Sequence, residues 1–140
     1  CVTLLSVMVM IAAPLARVSI RRAREVELRV QLRAMRRAID EYHEMAKAGK
    51  IMQTDVSQEF YPAELEELIE GVEIANDPSG KKHRFLRRVP VDPMTGDVEW
   101  GLRSYQDDWD SSSWGGENVY DVFYLSESMS LDGKTRYNEW

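Results

Sequence analysis

The hydrophobic positions in the first third of the chain follow helical spacing. No charge occurs in the first sixteen residues, and from Val18 to Ala48 the chain contains neither Gly nor Pro. Within this second stretch, apolar residues recur three and four positions apart, which places them on one helix face. These residues are Leu28, Leu32, Met35, Ile39 and Tyr42. The pattern predicts one continuous helix over residues 1–48 that stops at Gly49.

Such a helix is longer than a compact domain of this size. At 1.5 Å per residue it measures about 70 Å, so roughly half of it must protrude. Pro14 lies in the protruding half, and we expect it to kink or locally unwind the helix because it removes one backbone hydrogen bond. Val26 and Val30 form a second apolar stripe, which predicts an additional apolar neighbour for this part of the helix.

The rest of the chain predicts a short helix and two strands. Residues 62–70 begin with a proline, carry Leu and Ile on one side and are followed by Gly71, as in a short amphipathic helix. Apolar, β-branched and aromatic residues predict strands over 98–106 and 119–125. The expected fold class is α+β: the second half of the long helix packs on a small antiparallel sheet, and the apolar first half protrudes.

The charges divide the chain near the same point. Residues 1–50 hold ten Lys and Arg against five Asp and Glu, whereas residues 51–140 hold eight against nineteen. The acidic part argues against nucleic acid as a partner, and the mixed basic part suits ion pairs along a helix or between copies. We expect residues 1–24 to form an apolar half-helix with a basic end, and residues 25–140 to form a globular domain. The basic end consists of Arg17, Arg21, Arg22 and Arg24.

Few residues suit catalysis. Cys1 is the single cysteine, which excludes an intrachain disulfide, and no nucleotide-binding, nucleophile-elbow or zinc-protease motif is present. His43 and His83 lie in unrelated contexts, for which structural or surface roles are expected. We therefore expect no enzyme activity.

The loop after the second predicted strand is a candidate calcium site. Calcium binds carboxylate, hydroxyl and carbonyl oxygens on flexible loops. The Leu125 carbonyl with the side chains of Ser128 and Asp132 would supply such oxygens. A solvated loop is the alternative, since the spacing of an EF-hand is absent.

Several segments together resemble the type IV pilin superfamily. They are the apolar half-helix with its proline, YPAELEELIEG, FLRRVPVDPMTGD, WGLRSY and the terminal DVFYLS…LDG…Y. The resemblance covers essentially the whole chain, and within the superfamily it is greatest to the G-type major pseudopilins of type II secretion systems. It implies a pilin-like fold and a structural subunit that polymerises into a helical filament and promotes protein export across the outer membrane.

The resemblance also implies partners and a location. The partners are copies of the chain itself, minor pseudopilins, an inner-membrane assembly platform with its ATPase, and a secretin. Before assembly, the half-helix would lie in the bacterial inner membrane and the domain in the periplasm. In the filament, apolar side chains would form the core: Leu4, Leu5, Val7, Met8, Met10, Ile11, Pro14 and Leu15. The cluster Arg17, Arg21, Arg22 and Arg24 would pair with acidic groups of adjacent copies.

The chain departs from the family in two places. Family members begin with a methylated aromatic residue and have a glutamate at the fifth position, and their proline lies about eight residues further along. The expectation is therefore that about eight residues precede Cys1, which would complete an apolar span of about twenty residues. In the candidate calcium loop, Glu127 and Ser128 stand where the family has an aspartate, and Asp132 is the candidate substitute.

Two other interpretations are open. A surface type IV pilus subunit, which serves adhesion or motility outside the cell, has the same fold. A single-span anchored binding or signalling domain that does not polymerise would carry a similar apolar segment. A count of positive residues alone would place the domain in the cytoplasm, but family precursors carry a basic leader on the opposite side.

Overall fold

The computed structural model describes residues 2–140, with side chains described from Pro14 onward. The described residues form an α+β structure in which a long helix packs on a small body with two antiparallel strand pairs, β1–β2 and β3–β4. The elements are α1 (Val2–Lys47), α2 (Leu65–Glu70), β1 (Val72–Glu73), β2 (Lys82–His83), β3 (Gly101–Arg103) and β4 (Asp121–Phe123). Short 3₁₀ turns occur at Val56–Gln58 and Tyr137–Glu139. The predicted fold class is confirmed at this level.

The end of α1 follows the prediction, whereas its behaviour at Pro14 does not. Gly49 adopts a φ of +71°, and the N–H groups of Gly49 and Lys50 donate to the carbonyls of Ala46 and Met45, each at 3.0 Å. This is the Schellman arrangement, which uses the left-handed conformation that glycine adopts readily. At Pro14 the helix continues without interruption. The expected local unwinding is wrong, because loss of one donor leaves the flanking helical hydrogen bonds in place, and the alternative expectation of a kink stays a prediction.

The predicted core stripe of α1 is confirmed. Its five residues from Leu28 to Tyr42 are at most 2% exposed. They pack in one core with apolar residues of α2, β4 and the following segments: Leu65, Leu68, Trp100, Val119, Val122, Tyr124 and Tyr137. By contrast, every side chain from Pro14 to Arg24 is exposed. The body therefore covers only the later part of the helix, and the described part of the earlier half extends beyond it.

The second stripe has no neighbour within the described chain. Val26 and Val30 are 58% and 54% exposed. At 100° per residue they lie on the side of α1 opposite Leu28 and Leu32, which face the body. An additional apolar neighbour from another chain therefore stays a prediction.

The strands are shorter than predicted, and directly after β3 side chains accept the backbone hydrogen bonds. β3 pairs with β4 through Gly101↔Phe123, Leu102↔Val122 and Arg103↔Asp121. Directly after β3, the N–H of Ser104 donates to the Asp107 carboxylate at 2.7 Å, so it is lost to the ladder. The Phe123 ring occupies the space that a side chain at position 101 would need, which explains why glycine stands there.

The short helix also begins later than predicted, at Leu65 rather than at residue 62. The carbonyl of Pro62 accepts a hydrogen bond from Val119 N–H at 2.8 Å, and the N–H of Ala63 donates to the Glu67 carboxylate at 2.9 Å. Both backbone groups therefore have partners outside a helical ladder, and the helix begins only after them. The β1–β2 pair that follows was not predicted from the sequence.

Candidate functional site

The uncovered first half of α1 contains most of the residues that the sequence singled out. The side chains of six predicted filament-core residues lie outside the described residues: Leu4, Leu5, Val7, Met8, Met10 and Ile11. Pro14 and Leu15 are described, and both are exposed, Leu15 at 67%. Within the part of the chain that the structure describes, no helix is both long and apolar enough to cross a bilayer.

Apolar side chains continue along α1 beyond this point. Five of those described are about half or more exposed: Leu15, Val18, Ile20, Val26 and Val30. Leu15, Val26 and Val30 project from the side of the helix that faces away from the body. We call these three residues the outer stripe. A row of exposed apolar side chains on one helix is typical of a surface that packs against another protein.

The four arginines of the basic cluster have different environments. Arg21 contacts its own body: Nε donates to the Tyr137 hydroxyl at 3.1 Å, and Nη2 donates to the Met129 carbonyl at 2.7 Å. Arg17, Arg22 and Arg24 form no hydrogen bond or ion pair with any described residue. Their guanidinium groups are therefore available to a partner.

Glu25 completes the contact between α1 and the end of the chain. Its Oε1 accepts a hydrogen bond from the Tyr137 hydroxyl at 2.6 Å and another from Leu131 N–H at 2.7 Å. Burial raises the pKa of Tyr137, and the hydrogen bond to the Glu25 carboxylate raises it further. The segment that contains Leu131 and Tyr137 is thus fixed to the helix at Arg21 and Glu25, within and directly after the basic cluster.

Arg36 forms a second contact of this kind, which the sequence analysis did not identify. Its Nε donates to Asp121 Oδ1 at 2.7 Å, Nη2 to the Val122 carbonyl at 2.9 Å and Nη1 to the Trp140 carbonyl at 2.6 Å. The Arg29 guanidinium lies 4.0 Å from the centre of the Trp140 ring. The signal available in the sequence was Asp121, a single acidic residue within an otherwise apolar strand.

The candidate calcium loop is held by its own hydrogen bonds. Asp132 Oδ1 accepts from Lys134 N–H at 2.9 Å and from the Ser130 hydroxyl. The Ser130 bond, followed by the backbone bond, lowers the pKa of Asp132. Ser128 accepts from the Ser126 hydroxyl at 2.9 Å, and its carbonyl accepts from Tyr137 N–H at 3.0 Å. These hydrogen bonds position Ser128 and Asp132 within the loop.

The oxygen atoms of this loop could still serve as ligands of a weak cation site. Asp132 Oδ2 accepts no hydrogen bond from a described residue. Among the described residues, however, no three His, Cys, Asp or Glu side chains are grouped as metal ligands. A calcium ion here would have one charged ligand, with Ser128 and the Leu125 carbonyl as neutral ones. Calcium affinity depends on the number of charged ligands, so only weak binding fits this loop.

The segment VPVDPMTGD folds around a buried carboxylate. Asp92 is 2% exposed, and it accepts hydrogen bonds from Met94 N–H and the Thr95 hydroxyl, each at 2.8 Å. Burial, with Asp92 close by, raises the pKa of Tyr124 to about 12. The Trp100 indole N–H donates to the Pro90 carbonyl at 2.9 Å. These contacts hold the loop against the body beside α1.

The two histidines have neighbours typical of structural or surface positions. The His43 ring stacks on Tyr61 with centroids 4.0 Å apart, and His83 Nε2 lies 3.1 Å from Glu41 Oε1.

Comparison with known proteins finds no match: no protein-family profile, curated protein or solved structure matches this chain.

Proposed function

We propose that this chain is a structural subunit that polymerises through α1 into a helical filament, as the major pseudopilin of a type II secretion system. The observation that carries the proposal is the uncovered surface of α1. Between Pro14 and Val30 the helix has an outer stripe of apolar side chains and three arginines without described partners, and among the residues of this stretch the body buries Leu28 alone. The resemblance of the apolar start and the VPVDPMTGD loop to pseudopilins supplies the secretion context.

The apolar part of this surface would contribute to assembly. Complete burial of a Val or Leu side chain contributes about 1.5–3 kcal/mol. The outer stripe is 54–67% exposed in a single copy, so its burial between copies would contribute about 3–5 kcal/mol per subunit. This contribution is repeated at every subunit of a polymer, whereas a solitary anchored domain would leave the same side chains in water.

The charges favour contact between copies. Residues 51–140 carry eight Lys and Arg against nineteen Asp and Glu, and most of that acidic surface lies on the body. The arginines Arg17, Arg22 and Arg24 are therefore complementary to the bodies of neighbouring subunits. Before assembly, the apolar start would hold the subunit in the inner membrane, with the body in the periplasm. Minor pseudopilins, the assembly platform and the secretin are the further partners.

The test is electron microscopy of the full chain, produced in bacteria together with a type II assembly platform. Wild-type protein is expected to form filaments, and Val26→Glu or Val30→Glu is expected to prevent them. The matched control is Val56→Glu, since Val56 is 88% exposed but lies on the body. All three variants should keep the wild-type melting temperature, because each side chain is already exposed.

Arg22→Glu provides a second arm, which tests the charge contact and should also prevent filaments. Long filaments on the cell surface of a strain that lacks the secretin of the secretion system would instead assign the chain to an adhesion or motility pilus. Filaments from Val26→Glu and Arg22→Glu at wild-type yield would refute polymerisation through α1.

A further inference from the structure

A cleft of about 400 Å³ lies between the exposed turns of α1 and the body. Arg17, Arg21 and Arg24 line it from the helix, and Ser126 and Ser128 line it from the segment after β4. The volume is in the range of small-molecule sites. The cleft is separate from the outer stripe, which lies on the opposite side of the helix.

The guanidinium groups in this cleft form few hydrogen bonds with described residues. Arg17 and Arg24 have no described partner, and Arg21 bonds to described residues through Nε and Nη2 but not through Nη1. The two nearby carboxylates, Glu25 and Asp92, accept hydrogen bonds from neutral groups and form no described ion pair with these arginines. Three guanidinium groups that face one space suit a phosphate, because each offers paired N–H donors that match two phosphate oxygens.

The cleft also has an apolar part. Ile20, which is 55% exposed, lies between the arginines along the helix, and Met94 lies on the opposite wall. A ligand that fits both parts has an anionic group next to an uncharged hydrocarbon portion. The hydroxyl of Ser128 would donate a further hydrogen bond to the anionic group, since the Ser126 hydroxyl already donates to Ser128 Oγ.

The position along α1 indicates where such a ligand is found. Arg17 directly follows the sixteen uncharged residues, and Arg24 lies about 10 Å further along the helix. If the uncharged stretch enters a bilayer, the cleft lies at the depth of the lipid headgroups. Basic pockets beside membrane helices bind anionic headgroups.

We propose that this cleft binds the phosphate of an anionic glycerophospholipid while the subunit is in the membrane. The inference rests on the membrane-inserted state of the proposed function. Lipid binding would keep Arg17 and Arg24 neutralised before assembly, and release of the lipid on extraction would free these arginines for the acidic bodies of neighbouring copies.

The test is calorimetric titration of the full chain in dodecyl maltoside micelles with short-chain phosphatidylglycerol. Arg24→Gln is expected to raise the Kd about tenfold or more, as loss of one charge-assisted hydrogen bond does, and the Arg17→Gln, Arg24→Gln double variant should raise it further. Arg22→Gln is the matched control: it removes the same charge two residues away, on the other side of the helix. This control should keep the wild-type Kd, and phosphatidylcholine of the same chain length and inorganic phosphate should bind much more weakly.

Other results would overturn the proposal. If Arg22→Gln raises the Kd as much as Arg24→Gln does, binding depends on the overall positive charge of the helix. If inorganic phosphate binds as tightly as phosphatidylglycerol, the cleft binds a free anion. If the lipid does not bind but a peptide that spans Asp107–Asp110 does, the cleft instead binds a carboxylate of a second copy. Filament formation is measured separately. Filaments without lipid binding would refute only the proposed lipid site. Lipid binding without filaments would refute only the proposed polymerisation.

Discussion

Replacement of Arg36 by Met should destabilise the domain more than any other single arginine change on α1. Met keeps most of the side-chain length and its apolar contacts, so the change removes mainly the charge and its donors. Three hydrogen bonds are lost, to Asp121 Oδ1, the Val122 carbonyl and the Trp140 carbonyl. Asp121 would keep only Arg103, whose Nη1 lies 3.9 Å from its Oδ2.

The magnitude follows from the burial of this pair. Hydrogen bonds to charged groups contribute about 1.5–3 kcal/mol each, and removal of one partner from a fully buried pair costs about 3–5 kcal/mol. The Arg36 and Asp121 side chains are 33% and 26% exposed, so solvent screening reduces this cost. We expect a loss of about 2–4 kcal/mol in the free energy of unfolding, or roughly 6–16 °C in melting temperature for a domain of this size.

The assay is thermal and urea unfolding of the full chain in a neutral detergent, followed by circular dichroism. Arg37→Met is the matched control, because Arg37 is adjacent, exposed and without a described hydrogen bond. A double-mutant cycle with Asp121→Asn isolates the pair from the contribution of Arg103. Equal melting temperatures for Arg36→Met and Arg37→Met would refute the assigned role of these three hydrogen bonds.

Two further changes test the loop and the core. Millimolar calcium is expected to raise the melting temperature of the wild type by only a few degrees, since RT ln(1 + [L]/Kd) is small for a weak site, and Asp132→Ala should remove that rise. No change with either calcium or EDTA would mean that the loop binds no ion. In alkali, the raised pKa of Tyr124 predicts stability that is fully present below about pH 10 and lost as the pH rises through about 12. Tyr124→Phe should therefore reduce the alkaline fall in urea midpoint, and an unchanged fall would exclude this tyrosine as a source.

Local spacing in the sequence was sufficient to predict α1 and its core face. The stripe from Leu28 to Tyr42 and the stop at Gly49 depend only on residues a few positions apart, which is the range over which helix geometry acts. The strand lengths depended on side chains instead. The Asp107 carboxylate accepts a hydrogen bond from the Ser104 N–H. The periodic hydrophobic pattern does not reveal that this N–H is unavailable for strand pairing.

The contacts that fix the body to α1 could not be predicted from the sequence, for a related reason. Glu25 and Arg36 appear as charged residues off the core stripe, where a solvated position is the ordinary expectation. Their partners lie 85 to 112 positions further along the chain, and no local rule links such distant residues. The basic cluster was predicted from composition. Only the structure shows that Arg21 contacts its own body, whereas Arg17, Arg22 and Arg24 have no described partner.

The distance along the chain between α1 and the residues that hold it also affects how the protein is made. Tyr137 contacts Arg21 and Glu25 from 116 and 112 positions away, so the body cannot close on the helix until nearly all of the described chain has been synthesised. At about 5–20 residues per second, α1 would wait for several seconds or more with its core face uncovered. During that interval the helix presents apolar residues on both sides, the kind of surface that makes incompletely folded chains prone to aggregate. A long exposure of the core face of α1 during synthesis is thus a consequence of closing the fold with a residue more than a hundred positions away.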